Sequence, residues 1–179
     1  MFFCCVLFRK SARVIFTRCF MFYIKIWSVN DVSLILKDAS SWLRNQWKEL
    51  WREEEVSTEN LLHLYPKGDF VVGYIDDTAV CCMVLQWEDM EFWPDCLPES
   101  SGFIHKLAVA SEYHGSGLVQ QLFDYAEVQC QLKHAQFLRL DCDRSRQRLC
   151  QYYEKMWFYK VGEKIVRGFD VALFEKHIY

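Results

Sequence analysis

The sequence predicts one α/β domain with a mixed sheet and helices on both faces. Three observations carry this expectation. Short apolar or alternating segments of strand length recur along the chain. Longer segments between them carry apolar residues at helical spacing. The segments follow in the order β α α β β β α β α β β, so helices are interleaved with strands. A length of 179 residues suits a single domain with a sizeable core, and no repeat, low-complexity tract or linker divides it. With 52% hydrophobic and 25% charged residues, intrinsic disorder is excluded.

Residues 22–27 alternate apolar and polar side chains, as a strand does. Asn30 or Asp31 can cap the next helix, which runs to about residue 46, because a short polar side chain there accepts from the first free amides. Its apolar stripe is Val32, Ile35, Leu36, Ala39, Trp42 and Leu43. A shorter helix is expected over residues 57–64, with Ser57 as its N-cap. Residues 70–75 and 79–87 read as strands, joined by the tight-turn signal Asp76-Asp77. Residues 88–102 hold two of the three prolines and read as a loop. A strand over 103–110 leads to a long helix over 117–133, with Leu118, Leu122, Tyr125, Ala126 and Leu132 on one face. Residues 137–142 form a strand and 146–156 a helix, with Leu149, Tyr152, Tyr153 and Met156 at helical spacing. Strands over 158–163 and 169–175 close the chain.

Charge narrows the function classes. All 24 acids follow residue 30, whereas Arg9, Lys10, Arg13, Arg18 and Lys25 precede it. The body is therefore acidic, and the formal net charge is −3. That excludes a broad nucleic-acid surface and suits a cationic small substrate. Nine cysteines, an odd number with no C-x-x-C pair, point to reduced thiols in a cytoplasmic protein and to no metal site. The apolar run over residues 2–8 is too short to span a bilayer, and the order of a secretory signal is lacking, so no membrane partner is expected. The Arg-rich, acid-free start leaves an organelle transit peptide open. The preferred expectation is that residues 1–20 are an extension that is not native, with Met21 as the start and residues 21–179 as the domain.

The chemistry concentrates in residues 104–119, IHKLAVASEYHGSGLV. A strand runs into a loop with Gly115 and Gly117, and a helix starts there. Glycines let successive amides converge, and a helix N-terminus adds partial positive charge, a combination that suits a pyrophosphate. It is not a Walker loop, since no Gly-Lys-Ser/Thr follows, and the GxGxxG fingerprint is incomplete. The LAV strand, the Gly loop, the helix, then LRLDC and YYEKMWF together resemble the GNAT superfamily of acetyl-CoA-dependent N-acetyltransferases. The resemblance covers about residues 22–176 and is most specific over 103–163. It implies a mixed, mostly antiparallel sheet of about seven strands with helices on both faces. The family pattern Arg/Gln-x-x-Gly-x-Gly/Ala appears as His114-Gly115-Ser116-Gly117-Leu118-Val119, with His114 and Val119 as the departures. Arg146 stands where the family often has Asn, and Trp157 where its YEKxGF has Gly.

The resemblance implies acetyl-CoA as co-substrate. Leu107, Ala108 and Val109 would meet the acetyl-pantetheine arm, through the Leu107 and Val109 amides of a splayed strand. The amides of His114, Gly115, Ser116, Gly117, Leu118 and Val119 would hold the pyrophosphate, and Arg146 would add charge near a CoA phosphate. Tyr153 matches the family tyrosine that protonates the CoA sulfur, leaving Tyr152 to pack. His105 precedes Leu107 by two residues and shares its strand face. Its ordinary pKa suits taking a proton from an ammonium, directly or through water. The HxLAV strand is also similar to that of serotonin N-acetyltransferase, where a His relays protons; a purely structural His is the competing reading.

The acceptor site is expected from the first two helices and the loop after Trp87. Trp87, Asp89, Phe92, Trp93 and Asp95 combine aromatic faces with carboxylates, which hold a cationic amine by charge and cation–π contact. A solvated acidic loop anchored by Trp93 is the competing reading. Trp42, Trp47 and Trp51 read as core or cleft lining. The expected reaction is acetyl transfer from acetyl-CoA to a small primary amine, by direct attack in a ternary complex. The alternatives are a catalytically silent acyl-CoA-binding module on the same fold and a peptide or protein N-acetyltransferase. A homodimer is compatible with the resemblance.

Overall fold

The structure is a computed structural model that describes residues 21–46, 50–66, 68–97 and 99–179. The expected extension over residues 1–20 and Trp47 lie outside the described residues. The chain runs β1 (Phe22–Ile26), α1 (Val29–Arg44), α2 (Thr58–Leu64), β2 (Asp69–Ile75), β3 (Thr78–Gln86), β4 (Ser101–Val109), α3 (Leu118–Leu132), β5 (Phe137–Asp143), α4 (Gln147–Lys155), β6 (Tyr159–Val166) and β7 (Phe169–His177). Single 3₁₀ turns sit at Glu54–Val56 and Ser111–Tyr113.

The strands form one seven-stranded sheet in the order β1-β2-β3-β4-β5-β7-β6. Only the central β4–β5 pair is parallel, because α3 carries the chain back across the sheet between them. The β2–β3 turn bears out its sequence signal. Asp76 and Asp77 have φ of 50° and 67°, the left-handed pair that a twisted hairpin needs and that Asp tolerates. Ser57 caps α2 as expected, its Oγ accepting from the Asn60 amide at 3.3 Å. The α1 cap is a correction. The helix starts behind Ser28, and Asp31 is engaged by the Ser28 and Tyr74 hydroxyls.

Helices cover both faces. Val32, Ile35 and Leu36 of α1 and Leu61 of α2 pack on Phe70, Val72, Cys82 and Val84. Leu122, Phe123 and Ala126 of α3 pack on Val71, Met83 and Leu85, beside Tyr153 of α4, Phe158 and Phe174. Alternate residues of β2 and β3 thus enter opposite cores, which is why both strands are apolar almost throughout. Trp42 departs from its expected stripe; it is 40% exposed and meets the ring of His114 edge-on at 4.5 Å.

One irregularity positions everything that follows. β4 pairs with β5 only through residues 101–104 against 137–140. Just beyond, Lys106 has φ of 51°, and the β3–β4 register slips between Cys82 and Val84. Lys106 and Leu107 together oppose Met83, which makes a β-bulge. The bulge bends β4, and β4 and β5 part like a fork above the Ile104–Leu140 pair.

Candidate active site

The fork opens into a cleft of about 420 Å³. One wall is β4 from Ile104 to Val109, and the other is β5 from Leu140 to Asp143. His114, Val119, Arg146, Leu149, Tyr152 and Tyr153 also line it, as do Trp42, Trp51, Tyr65 and Phe92. Leu107, Ala108 and Val109 all face the cleft, where any amide turned towards β5 has no strand to bond.

The Gly loop closes one end. Gly115 and Gly117 have φ of 77° and 83°, and nothing lies within 4 Å of a Cβ built on either. The backbone angle, not space, demands glycine there. Gly117 precedes α3 without a side-chain cap. Among the described residues, the amides of Gly115, Gly117, Leu118 and Val119 have no protein acceptor. The Ser116 amide donates to Tyr113 O at 3.2 Å and that of His114 to Ser111 O at 3.4 Å. Of the six amides expected to hold a pyrophosphate, four are therefore left without a protein acceptor. The His114 ring is tied back to Val109 O at 3.1 Å.

The other end is ionisable and nearly dry. His105 Nε2 lies 3.5 Å from Asp89 Oδ2, with side chains 10% and 5% exposed. That separation is too long for a good hydrogen bond, and neither atom has another partner. Asp89 Oδ1 accepts from the Glu91 and Phe92 amides at 3.1 and 2.9 Å. Burial drives the His105 pKa down to about 4, with Asp89 opposing and Lys106 assisting, so the imidazole is neutral at pH 7. The rings of Tyr65 and Phe92 stand 5.4 and 6.3 Å from it. Asp141 is pushed up to about 7 by burial and by the nearby Asp89 and Glu91, against Lys106 and Lys164. Burial brings Lys106 down to about 8, and its ammonium sits 4.9 Å above Trp51.

Residues 36–158 match the model of the acetyltransferase (GNAT) family. The chain belongs to the GNAT acetyltransferase family. GNAT membership makes it an acetyl-CoA-dependent acetyltransferase. It is 29% identical over 157 residues to the uncharacterized N-acetyltransferase YesJ of Bacillus subtilis, covering 83% of this chain and 84% of that one. A GNAT acetyltransferase from Listeria monocytogenes superposes with a TM-score of 0.69 at 19% identity, over 91% of this chain and 98% of that one. The PaiA N-acetyltransferase of Thermoplasma acidophilum, solved with coenzyme A, superposes with a TM-score of 0.64 at 20% identity, over 87% and 98%. The putative acetyltransferase yncA of Salmonella typhimurium, solved with acetyl-CoA, does so at 0.62 and 12%, over 88% and 94%.

Within this GNAT fold the remaining expectations divide. Arg146 lines the cleft at the N-terminus of α4. Tyr153 reaches it from an aromatic cluster, 6% exposed, with Phe174 at 5.6 Å and Phe123 at 6.4 Å. Burial raises its pKa and keeps the phenol protonated. Tyr152 is half-buried and also lines the cleft, so the packing expected of it falls more on Tyr153. Of the five acceptor candidates, Phe92 lines the cleft and Asp89 stands behind His105. The other three are corrections. Trp87 packs on the α3-side core under the Lys133 ammonium. Trp93 is buried between Phe103 and the Arg139 guanidinium. Asp95 is exposed and does not line the cleft. The loop is a strap over β5 and β7, held by Glu91 on Arg167 and by Cys96 on Arg139. Glu91, Trp93 and Cys96 are used in holding it down. Asp141, Lys106 and Tyr65 escaped the sequence reading. Alternation in LRLDCD sets Asp141 opposite Leu140, but only the fork turns that position into a cleft wall.

Proposed function

We propose that this protein moves an acetyl group from acetyl-CoA to a small primary amine, by direct attack in a ternary complex. The observation that carries the reading is one cleft that the Gly loop borders through His114 and Val119, a loop with four amides unpaired among the described residues, and that His105, Lys106 and Asp141 also line. The amides of Gly115, Gly117, Leu118 and Val119, with Arg146, are suited to a pyrophosphate. Residues 107–109 take the pantetheine arm along the open edge of β4. The acetyl-CoA bound in the Salmonella structure and the coenzyme A bound in the Thermoplasma one support acetyl-CoA in that role. The thioester supplies the activated acyl carbon.

Tyr153, held neutral, gives its hydroxyl proton to the sulfur as the C–S bond breaks. His105 is a relay and orienting group, because its depressed pKa prevents it from storing a proton at pH 7. Asp89 stands behind His105, 3.5 Å from its Nε2, and does not line the cleft. Phe92, Tyr65 and Trp51 offer aromatic faces to a cation. Six described cysteines are free, in keeping with a reducing, cytoplasmic setting. No described helix is long and apolar enough to cross a membrane.

Calorimetric titration of the full chain with acetyl-CoA, then an acceptor screen reading the released CoA thiol, tests the reading. Micromolar binding with turnover of amines is expected. Binding without turnover across polyamines, arylalkylamines, amino sugars and peptides would establish the silent module instead. Turnover of peptides alone would establish a peptide acetyltransferase.

A further inference from the structure

We propose that Asp141 receives the ammonium group of the acceptor and takes its proton. The inference rests on the amine reading above and adds the group that the sequence did not point to. Ile104 and Leu140 are the last paired residues of β4 and β5, and both enter the α3-side core. His105 and Asp141 are therefore the first residues of the two parting arms, and both project to the opposite face, towards α1 and the strap. Asp141 lines the cleft there.

The neighbouring acids are already committed. Asp143, the other acid on the cleft wall, accepts the Ser145 amide at 2.8 Å. Asp89 accepts two amides and faces His105. Glu91 accepts from Arg167 Nη2 at 2.8 Å. Among the described residues, no hydrogen bond or ion pair engages the Asp141 carboxylate. A carboxylate held in a partly dry cleft without a partner suits a cationic ligand group.

The proton balance fits. An ammonium has no lone pair to attack with. The Asp141 carboxylate takes one proton from it, the freed lone pair forms the N–C bond, the C–S bond breaks, and the leaving sulfur gains the Tyr153 proton. Tyr153 is reprotonated from water, and Asp141 with the new amide nitrogen releases protons to it, so one proton is released per turnover. Burial first, then Asp89 and Glu91 from the strap, raise the pKa of Asp141, with Lys106 on β4 and Lys164 on β6 opposing them; Tyr65, from the end of α2, is a phenol that burial and Asp141 keep neutral. Together with burial they leave Asp141 titrating at about 7, near the operating pH of a general base. His105, at about 4, is poorly matched to that task.

The test compares the full-length wild type, Asp141→Asn and Asp141→Glu on spermidine, tyramine, glucosamine and a free-N-terminus peptide across pH, by CoA thiol release, with acetyl-CoA affinity measured by calorimetry for each. In the wild type, kcat/KM is expected to rise with pH through a group near 7. Asp141→Asn is expected to lose about 10²- to 10⁴-fold in kcat/KM and that pH limb, with acetyl-CoA affinity within threefold. Asp141→Glu restores part of the rate. An Asn variant with wild-type rate and limb overturns the role of Asp141 while leaving the amine reading intact. An Asn variant that loses acetyl-CoA affinity equally overturns it in favour of a donor-site role. A wild type that binds acetyl-CoA and acetylates none of the four overturns the amine reading and this inference with it.

Discussion

Arg139 and Asp141 sit two residues apart on the same face of β5, one below the fork and one above it. Arg139 lies where β4 is still paired, and its guanidinium makes four hydrogen bonds. It donates to Glu175 at 2.6 and 2.8 Å, to Ser101 Oγ at 2.7 Å and to Cys96 Sγ, and it lies over Trp93. Asp141 lies where β4 has bent away, and among the described residues no side chain bonds it. The same strand face is thus structural on one side of a single lost pairing and chemical on the other. The difference teaches that a desolvated charge is retained for stability only where partners surround it. Where they are absent, the charge costs stability.

Positive-φ turns repeat the contrast. At the end of α4, Trp157 has φ of 67°, yet its amide donates to Glu154 O at 3.1 Å and the Phe158 amide to Tyr153 O at 3.1 Å. Every bond of that helix stop is closed inside the chain. At Gly115 and Gly117 the same backbone region leaves amides open. Gly is usual at the first turn's counterpart in the family, and here a 71% exposed Trp bears the strain instead.

The comparison breaks most visibly below the fork. Arg139→Met should lower stability by about 3 kcal/mol, read by urea unfolding, because Glu175 and Ser101 lose their partner in a largely closed site. A loss under 1 kcal/mol would mean that the paired row holds nothing together. Above the fork the sign should reverse. The folded-state pKa of Asp141 lies above its unfolded value of 3.8, so this carboxyl leaves stability intact at pH 4 and lowers it as pH rises towards 7. Asp141→Asn should therefore raise stability by about 2 kcal/mol at pH 8, with far less change at pH 4. Destabilisation at pH 8 would show that the carboxylate has a hidden partner. The smallest effect belongs to the α4 turn. Trp157→Gly should stabilise by about 1 kcal/mol, since glycine adopts this backbone region freely. Unfolding curves that coincide with wild type would mean that the indole makes up the strain by contact.

Legibility followed the range of the forces involved. The Asp76-Asp77 hairpin, the Ser57 cap and the Gly115–Gly117 pair are local: each residue type is chosen by backbone angles within a few positions of itself. The α1 cap was misplaced because Asp31 answers to Tyr74, 43 residues away. β4 begins at Ser101, two residues before the apolar pattern does, because Phe137 and Leu138 are there to pair with Ser101 and Gly102. Trp93 and Asp95 read well as an amine cage by residue type, yet an arginine 46 residues beyond Trp93 claimed that loop.

By itself, the sequence determined the alternation of strands and helices, the family, the glycine loop before α3 and the tyrosine at the cleft. Apolar periodicity and glycine backbone freedom act over a few residues and are written into the order of side chains. Only the tertiary structure decided which charges would be answered and which left bare. That depends on where β4 and β5 part, and the parting is set by a bulge opposite Met83 and by pairing across the sheet, neither of which any stretch of sequence carries alone.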